Sequence, residues 1–206
     1  KLVTVYTQPP KKKFRGKKLL PSPIHQLAER LNIPVRFPNS LDDQEFDFIK
    51  SLNPDIVIVV AYGKIIPSKF LNLLKIDFIN AHASILPRWR GAAPIQRAIM
   101  NMDNETGISI MKVVSELDAG PVMKVAKIKI KEDSNFQEIN EKISSLAAST
   151  IIESLKILES KKEKFVPQDS TKATYAKKIK KSESKINWND KAKNIIAKIN
   201  ALYPNP

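Results

Sequence analysis

Asn80, His82 and Asp118 are the residues whose types and spacing suit proton transfer beside a developing negative charge. Asn80 and His82 stand two apart at the end of an apolar run, Ile76 to Ile79, that reads as a buried strand. Strand alternation puts residues two apart on the same side, so both can aim at a common point. Histidine is the side chain best able to give and take a proton near neutral pH. A carboxylate such as Asp118, in the turn Leu117-Asp-Ala-Gly120, can orient its ring. An amide such as Asn80 can donate a hydrogen bond to an oxyanion, an interaction worth ~3 kcal/mol. The plainer alternative is a histidine hydrogen-bonded at a strand end and an aspartate that only makes a turn. Residue types alone leave both open. Ser84 as a nucleophile would need a base and a sharp glycine elbow, which is absent, so a hydrogen bond within the following turn is its better reading.

The elements that must position these residues alternate strand and helix. Leu2 to Tyr6, Ile33 to Phe37 and Asp55 to Ala61 read as strands; the last is a continuous β-branched run expected to be buried on both faces. Ser22 with Pro23 starts a helix over Ile24 to Leu31, and Ser40 is expected to cap another from about Asp42 to Leu52. Ala92 to Met102 reads as a helix with Pro94 in its first turn, and Thr106 to Val114 as a strand. Val122 to Lys131 alternates lysines with apolar residues, so one face is wet and the strand pairs antiparallel near an edge. A long helix from about Asn135 to Leu158 carries an apolar stripe through Phe136, Ile139, Ile143, Ala147, Ile151, Leu155 and Leu158. This order predicts an α/β fold with a doubly wound, mostly parallel sheet, whose ligands bind beyond the carboxyl ends of the strands. Asn80 to Ser84 sits at such an end. Residues 1–160 are expected to form the catalytic domain, and residues 161–206 a lysine-rich linker or strap followed by a helix.

The 206 residues include no cysteine and two histidines, which removes disulfides and thiolate chemistry and argues against a cysteine or histidine metal site. No apolar run approaches the ~20 residues of a membrane-spanning helix. A net charge of +14 points to a polyanionic partner. Lys11, Lys12, Lys13, Arg15, Lys17 and Lys18 concentrate that charge without an intervening acid; the segment is either a solvated turn or a phosphate-binding arm. Arg88, Trp89, Arg90 and Arg97 are either a surface patch or a site for nucleic acid or an anionic ligand tail.

Asn80-Ala-His-Ala-Ser-Ile-Leu-Pro87 with Arg88-Trp-Arg-Gly-Ala-Ala-Pro-Ile-Gln96 resembles the signature of the methionyl-tRNA formyltransferases. Tyr6-Thr-Gln-Pro9, Arg15-Gly-Lys-Lys18, Val60-Ala-Tyr-Gly63, Glu105-Thr-Gly107 and Leu117-Asp-Ala-Gly120 extend the likeness along essentially the whole chain. The resemblance implies a Rossmann-like formyltransferase fold and transfer of a formyl group from 10-formyltetrahydrofolate to methionyl initiator tRNA. It makes Asn80, His82 and Asp118 the catalytic trio and Ser84, Ile85, Leu86 and Pro87 the folate-binding segment. It assigns the basic segment, with Arg88 and Arg90, to tRNA. No metal is implied, and a cytoplasmic monomer of bacterial or organellar type is expected. Formyltransferases acting on glycinamide ribonucleotide or sugar nucleotides, and a formyltetrahydrofolate hydrolase, share the Asn-x-His and Asp elements but not the stretch after Leu86-Pro87. A non-catalytic RNA-binding module is the rival from charge alone. The family begins with one more strand and helix and ends in a small β-barrel domain; both are expected to be missing from this sequence.

Overall fold

A computed structural model describes residues 1–13, 18–73 and 77–205. The chain divides into two compact units, residues 1–57 with 62–77, and residues 58–61 with 78–206. In the first unit β1 (Val5–Tyr6) pairs in parallel with β4 (Val35–Arg36), while β2 (Lys11–Lys13) and β3 (Lys18–Leu20) form an antiparallel ladder. Of the expected phosphate arm, Arg15 and Lys17 lie outside the described residues. Helix α1 (Pro23–Arg30) starts as its sequence dictates: Ser22 Oγ accepts the His25 amide at 3.0 Å and proline fills the first turn. Helix α2 (Asp43–Leu52) is capped by Asp42 and not by Ser40. Asp42 has the extended backbone a cap needs, and its carboxylate accepts the Glu45 amide at 3.1 Å, whereas Ser40 lies too early to reach that donor.

Strand β5 (Ile56–Val59) and the short helix α3 (Ser68–Leu71) come next. The four-stranded sheet runs β5, β6 (Asp77–His82), β8 (Glu105–Lys112), β9 (Val122–Lys129). Full burial of the β5 run is not observed: Ile58 and Val60 are 38% and 51% exposed. The β-branched composition here therefore reflects strand propensity without two covered faces. The central strand β8 is buried along almost its whole length; Ile108, Ile110 and Met111 are each 1% exposed and contribute about 2 kcal/mol apiece by leaving water. Strand β6 pairs antiparallel with β8, and β8 with β9, whose alternating exposure agrees with its wet lysine face.

A separate two-stranded sheet pairs β7 (Arg90–Gly91) in parallel with β10 (Tyr175–Ala176). Helix α4 (Pro94–Met100) has its proline in the first turn. Helix α5 (Phe136–Glu159) is capped by Asn135, whose side chain accepts the Glu138 amide at 3.0 Å. It buries Ile139, Ile143 and Ala147 of the expected stripe; Phe136, Ile151, Leu155 and Leu158 stay half-buried, and the buried face continues through Ser154 and Thr150, whose hydroxyl donates to the Leu146 carbonyl at 2.7 Å. Helix α6 (Ala192–Leu202) is the last element of the described residues. Between α5 and α6 the lysine-rich segment is a strap: Val166 bridges Val122, and Tyr175-Ala176 adds to Arg90-Gly91.

Candidate active site

All three residues expected to do chemistry belong to the second unit. Strand β6 ends at His82, and Asn80 shares its face; Asn80 is half-buried and His82 buried. The register sets Asn80 opposite Met111 and His82 opposite Ser109 on the buried strand β8, so the ring rises from the firmest part of the sheet.

Two acceptors bracket that ring. His82 Nε2 lies 2.8 Å from the Trp89 carbonyl oxygen, which can only accept, so Nε2 carries a proton and donates it. His82 Nδ1 lies 3.5 Å from Asp118 Oδ2, longer than an ordinary hydrogen bond. Both acceptors come from residues with left-handed backbones: φ is +61° at Trp89 and +47° at Asp118. Such conformations persist only where surrounding contacts enforce them.

Those contacts are present on both sides. Asp103 accepts from Arg88 Nε at 3.0 Å and Arg88 Nη2 at 2.5 Å, and from the Trp89 indole N–H at 2.7 Å. Burial raises the Asp103 pKa, but hydrogen bonds from Arg88, Trp89 and Asn101 outweigh it and hold the carboxyl below its ordinary range. The Trp89 backbone amide donates to Thr174 Oγ1 at 2.9 Å. On the other side, the Gly91 amide donates to Asp118 Oδ2 at 2.8 Å. Gly91 must be glycine there: φ is +115°, and a Cβ would stand 2.9 Å from the Ala176 carbonyl oxygen. Gly120 closes the aspartate turn so tightly that a Cβ would come within 1.9 Å of the Lys112 carbonyl oxygen.

Ser84 is fully buried and donates to the Arg88 carbonyl at 2.6 Å, the turn hydrogen bond its position suggested. Ser109 Oγ donates to the Ser84 carbonyl at 2.7 Å and accepts the Leu86 amide at 3.0 Å, fixing the segment from below. The Ser84 and Leu86 side chains face inward, leaving Ile85 and Pro87 partly exposed.

The arginines depart from expectation. Arg90 is 1% exposed, so it is not a surface contact for tRNA. Its backbone pairs with the strap, which carries the guanidinium inward to Gln168 Oε1 at 3.0 Å and Glu116 Oε1 at 3.2 Å. Arg88 stays on the surface with its guanidinium committed to Asp103 and lying 4.8 Å over the Trp89 ring. Arg97 is taken up by Glu183 at 2.7 Å and the Lys177 carbonyl. Asp103, Gln168 and Thr174 were not expected in the site; no period or cluster marks them, because their partners are distant in sequence. No group of three or more histidine or carboxylate residues able to hold a metal exists among the described residues.

A strand-end histidine facing an aspartate from a strained turn, with an amide on its own face, can stabilise an oxyanion and move a proton beside it. Comparison with known proteins identifies the family of the chain. The model of the family described as formyl transferase matches residues 1–155. The chain belongs to the formyl transferase family. The model described as formyl transferase, C-terminal domain, matches residues 178–206, beginning within the strap and covering α6. Methionyl-tRNA formyltransferase of Pelagibacter ubique (strain HTCC1062) is 55% identical over 204 residues, 98% of this chain. The chain spans 66% of that relative's length. Among solved structures, HypX from Aquifex aeolicus in complex with tetrahydrofolic acid aligns with TM-score 0.70 at 20% identity, over 88% of this chain and 31% of that one. The N-formyltransferase from Helicobacter canadensis in complex with folinic acid and dTDP-3-aminofucose aligns with TM-score 0.73 at 17% identity, over 93% and 68%. These two likenesses establish the formyltransferase fold, a mixed α/β architecture.

Proposed function

We propose that the protein transfers the formyl group of 10-formyltetrahydrofolate to the amino group of methionyl initiator tRNA, in the cytoplasm, for translation initiation. The observation that carries the reaction is the His82 ring held between the Trp89 carbonyl and the Asp118 carboxylate, with Asn80 on its face. The choice of acceptor rests on 55% identity to a protein named for that acceptor. Asn80, His82 and Asp118 all come from one unit of one chain, so a monomer would hold the whole trio, and a monomer is what we propose.

In this reaction the neutral amine attacks the formyl carbon, a new C–N bond forms, and negative charge gathers on the formyl oxygen. Asn80 and protonated His82 stabilise that charge. The bond from the formyl carbon to the folate nitrogen then breaks; that nitrogen gains one proton and the former amine loses one. His82 moves the proton through Nδ1, because Nε2 is committed to the Trp89 carbonyl. Asp118 supports the ring while both nitrogens are protonated, and the 3.5 Å gap leaves Nδ1 free to exchange. Ser84 to Pro87 meets the folate through Ile85, Pro87 and the backbone that Ser109 fixes. The basic sequence segment with Lys11, Lys12, Lys13, Arg15, Lys17 and Lys18 is assigned to acceptor-stem phosphates, contacts that position a tRNA without reading sequence.

The test is formyl transfer by the full-length protein with charged initiator tRNA, a small amine sugar nucleotide and water offered in parallel. The proposal expects transfer to the tRNA to dominate, weakening steeply with added salt as phosphate contacts are screened. Dominant transfer to the small amine, or hydrolysis without transfer, contradicts it.

A further inference from the structure

Gln168 lies in the strap, far in sequence from the residues assigned to the reaction, yet both ends of its side chain are engaged at their edge. Its Nε2 donates to the Asp118 carbonyl at 2.8 Å and to the Gly120 carbonyl at 2.7 Å. Its Oε1 accepts from Arg90 Nε at 3.0 Å. An arginine can only donate, so Arg90 fixes which way the Gln168 amide points: oxygen to the guanidinium, nitrogen to the aspartate turn. Arg90 is 1% exposed, Glu116, its carboxylate partner, is 68% exposed, and the Arg90 Nη2 is buried without a hydrogen-bond partner. A buried cation with such incomplete pairing is poor value as a stability device. What it supplies is an orientation.

The turn needs one. Asp118 holds φ +47°, and its carboxylate must keep Oδ2 both on the Gly91 amide and facing His82 Nδ1. The double donation from Gln168 pins the carbonyls on either side of Ala119. We propose that Gln168, aimed by Arg90, is a positioning residue that holds Asp118 in register with His82 during formyl transfer. The proposal rests on the reaction assigned above.

Gln168→Glu separates this role from a merely structural one. It keeps an oxygen for Arg90, and adds charge to that pairing, while removing the N–H groups that hold the turn. In the full-length protein the expected result is a kcat about 10- to 100-fold lower, with the acceptor KM within about twofold and the melting temperature retained, since small misplacements of a working group cost this much. On an Asp118→Ala background the same change should cost nothing further, because two residues acting as a unit are not additive. Gln168→Ala serves as the second variant with the same expectation. A substrate-free readout is hydrogen exchange at the Gly91 amide: its protection should drop in Gln168→Glu while that of strand β8 is unchanged. Unaltered kcat and unaltered Gly91 protection, or losses that multiply with Asp118→Ala, overturn the proposal. If wild-type protein transfers no formyl group, the reaction assignment fails, and the Gly91 arm alone decides whether Gln168 holds the turn.

Discussion

The two flanks of His82 are built differently. On the Trp89 side the contact is direct, 2.8 Å to a carbonyl, and the carbonyl is locked by Asp103 and Thr174. On the Asp118 side the separation is 3.5 Å, and the carboxylate depends on one backbone amide while its turn depends on a glutamine from the strap. The first flank sets ring orientation and tautomer; the second faces the nitrogen to which the proposed reaction assigns proton exchange. A catalytic imidazole needs both: a fixed axis at one nitrogen and an exchangeable site at the other. The asymmetry therefore assigns the flanks different sensitivities, chemistry on one and stability on the other.

Three substitutions probe that division, and a fourth, at Glu183, is a reference outside both flanks. The largest kinetic effect within the flanks belongs to Asp118→Asn, which keeps an oxygen for the Gly91 amide but removes the charge facing Nδ1; kcat should fall about 100-fold or more while the unfolding midpoint moves little. Equal losses of kcat and stability would erase the distinction. Asp103→Ala should do the reverse, lowering stability by ~2 kcal/mol in urea unfolding, because it strands the Trp89 indole and the Arg88 guanidinium, and lowering kcat only about tenfold. Thr174→Val, which removes the acceptor of the Trp89 amide, should cost about 1 kcal/mol and leave kcat within about threefold. The smallest effect is at Glu183, whose pKa is lowered from its ordinary 4.5 to about 2 by the Arg97 hydrogen bonds and the Lys180 amide. A carboxylate depressed in the folded state contributes stability above its unfolded pKa and loses it as pH falls through the folded value. Glu183→Gln should therefore cost stability at neutral pH, with the difference from wild type shrinking between pH 4.5 and about pH 2. The Asp103 carboxyl, lowered as well, gives the Trp89 flank acid sensitivity of the same sign.

How much of this was legible in the sequence follows from how local each cause is. Strand alternation puts Asn80 and His82 on one face, and the Leu117 to Gly120 turn brings Asp118 to the rim, because both depend on neighbours within a few residues. The turn hydrogen bond of Ser84, the antiparallel β9 and the capped helices α1 and α5 are local in the same sense. Arg90 was misread because charge suggests exposure, whereas parallel pairing with Tyr175 carries it inside. The partners of Gln168 lie 48 to 78 residues away, and nothing in its neighbourhood announces them. Composition left the lysine-rich segment open between linker and strap because its lysines face out, while Val166, Gln168 and Thr174 make the contacts that decide for a strap.

The claim common to both flanks is that His82 is where formyl transfer happens. It is tested most directly by single-turnover transfer from 10-formyltetrahydrofolate to methionyl initiator tRNA, comparing full-length wild-type protein with His82→Ala and measuring tRNA affinity on the same samples. A transfer rate lower by about 10²- to 10⁴-fold with tRNA affinity essentially unchanged is the predicted result. Near-normal transfer by His82→Ala would contradict the assignment.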